Sequence, residues 1–168
     1  MSILLLAILT TGSCIKERVS GGDVKVGDIV PAFSAEGMDG NSFNSASFTG
    51  KRSLLVLFVT TCSDCQRELP LIEWIWGEVK DNPQVQVLAI SREEERSVVH
   101  TYWELEDIGK GKTKFTIPVY LDPNREIFSK FATSTVPRIY IVNDRSVVEW
   151  MAIEDLDISK EELLGKLL

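Results

Sequence analysis

Two cysteines, Cys62 and Cys65 in the run Thr61-Cys62-Ser63-Asp64-Cys65, are the residues of this chain best suited to do chemistry. Ahead of them, Leu54 to Val59 is continuously apolar and rich in branched and aromatic residues, which suits a central strand covered on both faces. From Leu69 the period changes: Leu69, Ile72, Ile75, Trp76 and Val79 recur at helical spacing. The change of period puts the cysteines at a strand-to-helix turn. A helix N-terminus offers unpaired N–H donors and a partial positive charge, and both favour a thiolate over a thiol. Cys62 is therefore expected to be the attacking sulfur. Cys65, one turn on and within disulfide reach, is its resolving partner. The same spacing could supply half of a zinc site, but the remaining cysteine and histidine, Cys14 and His100, do not make the second pair that four-coordinate zinc needs.

The rest of the chain reads as the frame for that turn. Asp28 to Phe33 opens the domain, and a turn at Asp39-Gly40 before Asn41-Ser42-Phe43 predicts a β-hairpin. The strand into Cys62 and a helix from about Cys62 to Val79, with Pro70 inside it, come next. Val85 to Ile90 is a second strand. A second helix is expected over Glu93 to Glu106, with Val98, Val99, Tyr102 and Leu105 on one face. Gly109 to Lys114 is a basic, Gly-containing loop, Ile117 to Leu121 a short strand, and Asn124 to Phe131 a short helix. Ile139 to Val142 and Val147 to Trp150 form a closing hairpin about Asn143-Asp144. A capping box at Ser159-Lys160-Glu161-Glu162 starts the last helix. Strand–helix alternation gives parallel pairing first and an antiparallel hairpin last, hence an α/β fold with a mixed central sheet flanked by helices. The lone His100 reads as a surface or boundary residue, and Trp74 and Trp76 as packing residues.

At 168 residues, 44% of them apolar, the chain is long enough for one domain with a hydrophobic core. A formal charge of −7 without any Lys/Arg cluster argues against a nucleic-acid partner. Ile3 to Leu9 is too short to span a bilayer but suits the core of a signal peptide. The small residues Gly12 and Ser13 before Cys14 resemble a bacterial lipoprotein cleavage site, although Thr11 stands where Leu is usual and no Lys or Arg precedes the apolar run. An uncleaved anchor and a buried strand are the alternatives. The organisation expected is a signal peptide over 1–13, a tether over 14–27 lipidated at Cys14, and the domain over 28–168. That domain would sit outside the cytoplasm, on the periplasmic side, where disulfide chemistry is routine.

The dithiol turn, the helix proline and the pair Val136-Pro137 before a late strand resemble a thioredoxin fold. More narrowly, the chain is similar to the TlpA/ResA-like family of membrane-tethered thiol–disulfide oxidoreductases. The similarity runs from about Val26 to Leu168 and rests on Val30-Pro31-Ala32-Phe33, Asp39-Gly40, Gly50-Lys51, Cys62-x-x-Cys65, Glu68, Pro70, Leu121-Asp122, Val136-Pro137 and Asn143-Asp144. It implies a thioredoxin-like fold with an N-terminal β-hairpin extension. It also implies that Cys62 attacks the substrate, that Cys65 resolves the mixed disulfide in a redox-active pair, and that Glu68 assists proton transfer. Pro137 would be the proline that is cis in such folds, so Thr61, Val136 and Pro137 would border the substrate. The partners implied are protein disulfides and an upstream thiol–disulfide electron donor, with no cofactor and no metal.

Two departures belong to this chain. Relatives carry Trp before the first cysteine, where Thr61 stands here, and the dipeptide between the cysteines is Ser63-Asp64, without proline. Asp64 favours the first helical turn, yet its charge opposes a neighbouring thiolate and should keep the couple reducing. Arg138 would either attract acidic partners at the groove or be plain surface. A thiol peroxidase on the same fold is the first alternative function, but its Pro-x-x-x-Thr/Ser-x-x-Cys loop is absent, since Leu57-Phe58-Val59-Thr60-Thr61 precedes Cys62. A copper-delivering module would want C-x-x-x-C with a late histidine, and a redox-inert interaction lipoprotein would carry an unreactive Cys62.

Overall fold

The structure is a computed structural model that describes residues 23–106 and 113–168. The expected signal peptide, the lipidation residue Cys14 and most of the Gly109–Lys114 loop lie outside the described residues. No helix among the described residues is long and apolar enough to cross a membrane.

One seven-stranded mixed sheet organises the domain. Its strands are β1 (Ser34–Gly37), β2 (Ser42–Asn44), β3 (Arg52–Phe58), β4 (Val85–Arg92), β5 (Val119–Asp122), β6 (Arg138–Val142) and β7 (Val148–Ile153), in the spatial order β2-β1-β5-β4-β3-β6-β7. β3 lies at the centre, parallel to β4 and antiparallel to β6, with Leu57 opposite Ile90 and Arg138. Leu54 to Phe58 are essentially inaccessible, as a strand covered on both faces requires. The helices are α1 (Ser63–Val79), α2 (Arg96–Glu104), α3 (Phe128–Phe131) and α4 (Lys160–Leu167).

The N-terminal hairpin forms as expected and joins the sheet through antiparallel pairing of β1 with β5. Its turn uses Asp39, whose carboxylate accepts the Asn41 amide at 3.0 Å, and Gly40 at φ +83°, a conformation that favours glycine. Ser159 caps α4 by accepting the Glu162 amide at 3.1 Å. Trp74 and Trp76 are partly buried against the core, and His100 is exposed.

Three local expectations are corrected. Val24 and Gly27, expected in the tether, pack on the domain: Val24 is buried with its amide donating to Phe131 O at 2.7 Å, and Gly27 donates to Val148 O at 2.8 Å. α2 is shorter than Glu93–Glu106 and buries Val99 and Trp103, leaving Val98 and Leu105 about half exposed. The reason is Trp103, which stacks beside Phe58 and Phe115 and donates to Ile117 O, so it sets the buried face of the helix. α3 spans only one turn, because buried Asp122 turns the chain first, accepting the Ile127 amide at 3.0 Å and the Phe128 amide at 2.7 Å.

Asp122→Ala would leave both amides without a charged acceptor, so a loss of about 2–4 kcal/mol is expected. Urea unfolding should show it as a lower midpoint at unchanged slope.

Candidate active site

The site is built where β3 ends. The residues between β3 and α1 are held from two sides: the Glu94 carboxylate accepts the Thr60 amide at 2.9 Å and its hydroxyl at 2.5 Å, while Gln66 Nε2 donates to Thr60 O at 2.8 Å. Glu94 also accepts from Ser91 Oγ at the end of β4, which ties the loop to the neighbouring strand. Cys62 is the N-cap of α1. Its Sγ accepts the Cys65 amide at 3.3 Å and donates to Val136 O at 3.4 Å.

The two cysteines are unlinked and differ in environment: Cys62 is half-buried and Cys65 fully buried. Burial, reinforced by the Cys62 sulfur and the Asp64 charge, pushes the Cys65 thiol well above the ordinary cysteine range. Cys65 is thus held as a thiol behind the less buried sulfur that caps the helix.

Sequence reasoning singled out Thr61, Val136 and Pro137 as substrate-bordering residues. The structure brings the Val136–Pro137 bond, which is cis, up to Cys62 through the Val136 carbonyl. Thr61 is exposed on the same loop. Glu68 is buried at 6% exposure on the same helix as Cys65, and among the described residues its carboxylate is bonded to Arg67 Nε at 2.8 Å rather than to Cys65.

Arg67 is the residue that spacing did not flag. Its guanidinium also pairs with Asp64 at 2.7 Å and donates to Glu154 O at 3.2 Å. Its hydrogen bonds to Glu68 and Asp64, with the charges of those two carboxylates, hold Arg67 protonated. Asp64 therefore carries a counter-charge, which weakens the isolated-charge reading of that residue. The i,i+3 relation of Arg67 to Asp64 was readable in the sequence, whereas its bonds to the adjacent Glu68 and the Glu154 carbonyl were not.

Arg138 is corrected outright. It is neither surface nor an exposed attractor: it is 3% exposed, paired with Asp23 at 2.7 Å, and donates to Thr135 O and Ser134 O. Tyr102, expected on a core face, borders an open groove of about 450 Å³ with Thr60, Val98 and Leu105. Burial, then the nearby Cys65, Glu94 and Cys62, pushes its phenol up to about 12, so it stays a neutral hydroxyl.

Residues 26–151 match the AhpC/TSA family. Among curated proteins, the thiol-disulfide oxidoreductase ResA of Bacillus subtilis is 24% identical over 148 residues, covering 87% of this chain and 78% of that protein. Among solved structures, a Bacteroides thetaiotaomicron protein superposes with TM-score 0.75 at 24% identity, covering 89% and 91% of the two chains. The thioredoxin domain of a Bacteroides vulgatus thiol-disulfide oxidoreductase gives TM-score 0.69 at 17% identity, over 87% of this chain and 100% of that one. The fold is thioredoxin-like.

Iodoacetamide should label Cys62 first up to about pH 9, because a raised Cys65 stays protonated there, and peptide mass mapping would read it. Arg67→Gln would leave Asp64 and Glu68 uncompensated beside the thiolate. The reduction potential should then fall by about 10–30 mV, measured in glutathione buffers.

Proposed function

The chain belongs to the AhpC/TSA family, and from that premise we propose that it is a thiol–disulfide oxidoreductase that reduces protein disulfides through Cys62 and Cys65. The observation that carries the reading is a sulfur-capped helix: Cys62 Sγ accepts the Cys65 amide, with Cys65 buried directly behind it. The ResA relative, a thiol-disulfide oxidoreductase, supports the same activity.

In the proposed cycle the Cys62 thiolate attacks one sulfur of a substrate disulfide. A Cys62–substrate disulfide forms and the substrate's other sulfur leaves as a thiolate. Cys65, losing its proton, attacks Cys62 Sγ, so the Cys62–Cys65 disulfide forms and the second substrate thiol is released. The dithiol is oxidised by two electrons and the substrate reduced by two, and an upstream thiol–disulfide donor restores the dithiol. Val136 O has a double use in this scheme. It receives the Cys62 S–H at rest, and ionisation of Cys62 releases it for a backbone N–H of an extended substrate. Glu68 takes the Cys65 proton once its pair with Arg67 opens, which its buried position on α1 supports. Thr61, standing where most relatives carry Trp, borders the substrate, and the adjacent Thr60 lines a groove with Tyr102.

The proposed location is outside the cytoplasm, on a lipid carried by Cys14 after removal of residues 1–13. The support is the sequence pattern alone.

The chain should equilibrate with glutathione buffers and reduce insulin. Cys62→Ala should abolish both, and Cys65→Ala should accumulate a mixed disulfide on Cys62 that non-reducing mass spectrometry identifies. Faster turnover of hydrogen peroxide than of disulfides would assign the peroxidase alternative instead.

A further inference from the structure

We infer that Asp23 and Arg138 form a latch that positions the substrate-facing carbonyl of Val136, making the start of the domain part of the substrate-binding apparatus. The inference rests on the oxidoreductase reading and deepens it.

Arg138 opens β6 directly after Pro137 and lies opposite Leu57 of the strand that leads to the cysteines. Its guanidinium is buried, where an unpaired charge would be costly, so its partners constrain it strongly. Nη2 meets Asp23 Oδ2 at 2.7 Å and Ser134 O at 3.2 Å, and Nε meets Thr135 O at 3.2 Å. Asp23 Oδ1 accepts the Thr133 amide at 3.0 Å and lies 3.3 Å from its hydroxyl. Every residue from Thr133 to Thr135 is thus bonded to one member of the pair, and Val136 follows with its carbonyl 3.4 Å from Cys62 Sγ.

The latch is closed by tertiary contact alone, since its two members are separated by 115 positions. The next residue, Val24, is bonded to Phe131 O and buried, which holds Asp23 in place. Desolvation acts against the Asp23 charge, but Arg138 and Thr133 outweigh it and hold the carboxyl below the usual value. A lysine at position 138 would keep the charge but could not reach Asp23 and two carbonyls through a planar fork. Asp23 and Arg138 touch neither sulfur, so they are positioning residues.

The test uses the full chain with two probes. Glutathione disulfide reads the reactivity of Cys62 and asks little of a long binding surface, whereas insulin requires a docked polypeptide. Asp23→Asn removes the charge. The double variant Asp23→Asn with Arg138→Met removes both charges and leaves no unpaired ion in the interior, and urea unfolding checks that its fold is intact. Both are expected to raise the insulin KM roughly three- to ten-fold, with kcat and the glutathione-disulfide rate within about two-fold of the parent. An insulin KM unchanged in both variants overturns the latch, and so does an equal fall with both probes, which would mark a purely structural role. A parent chain that exchanges with neither probe overturns the oxidoreductase reading itself.

Discussion

Cys62 stands where a helix needs an acceptor for its first free amides, and its sulfur supplies one by taking the Cys65 N–H. That single hydrogen bond links fold and chemistry. The N–H that the sulfur takes is one of the donors a helix start leaves unpaired, so the contact that caps α1 also places Cys62. Its position depends on β3, whose buried run ends just before the loop, and on Glu94 and Gln66, which hold Thr60 from opposite sides. The sulfur is placed by backbone constraints on both flanks.

The second cysteine is governed by burial rather than by the helix end. Cys65 is inaccessible and its thiol is pushed upward, whereas Cys62 is only half-buried at the helix end. Around them the charges are balanced locally. Arg67 pairs with Asp64 in front and Glu68 behind, and its reach to the Glu154 carbonyl binds the first turn of α1 to the end of β7. The guanidinium sets what either carboxylate can do to a thiolate.

On the opposite wall, the residues before β6 are tied to the N-terminal segment through Asp23 and Arg138, and they bring Val136 O to Cys62. Residues 23–27, which composition assigned to a tether, therefore pack on the domain. The same segment continues along the β6–β7 turn, with Val30 donating to Ser146 O and Val148 to Asp28 O.

Local order along the chain determined the element sequence, the strand–turn–helix carrying the cysteines, the hairpin about Asp39-Gly40 and the Ser159 cap, because period, turn chemistry and capping act over a few residues. It also identified the two sulfurs, since a dithiol at a helix start is defined by neighbours in sequence. Tertiary structure alone decided which charges meet. Arg138 looked like groove surface because its partner Asp23 lies at the far end of the chain, and the bond of Glu68 to Arg67 depends on how side chains turn. The buried face of α2 was likewise settled by Trp103 packing on Phe58, not by the helical repeat. Periodicity reports that a face is apolar, but packing decides which part of it is covered. Here that left Tyr102, Val98 and Leu105 bordering an open groove with Thr60, two residues before Cys62.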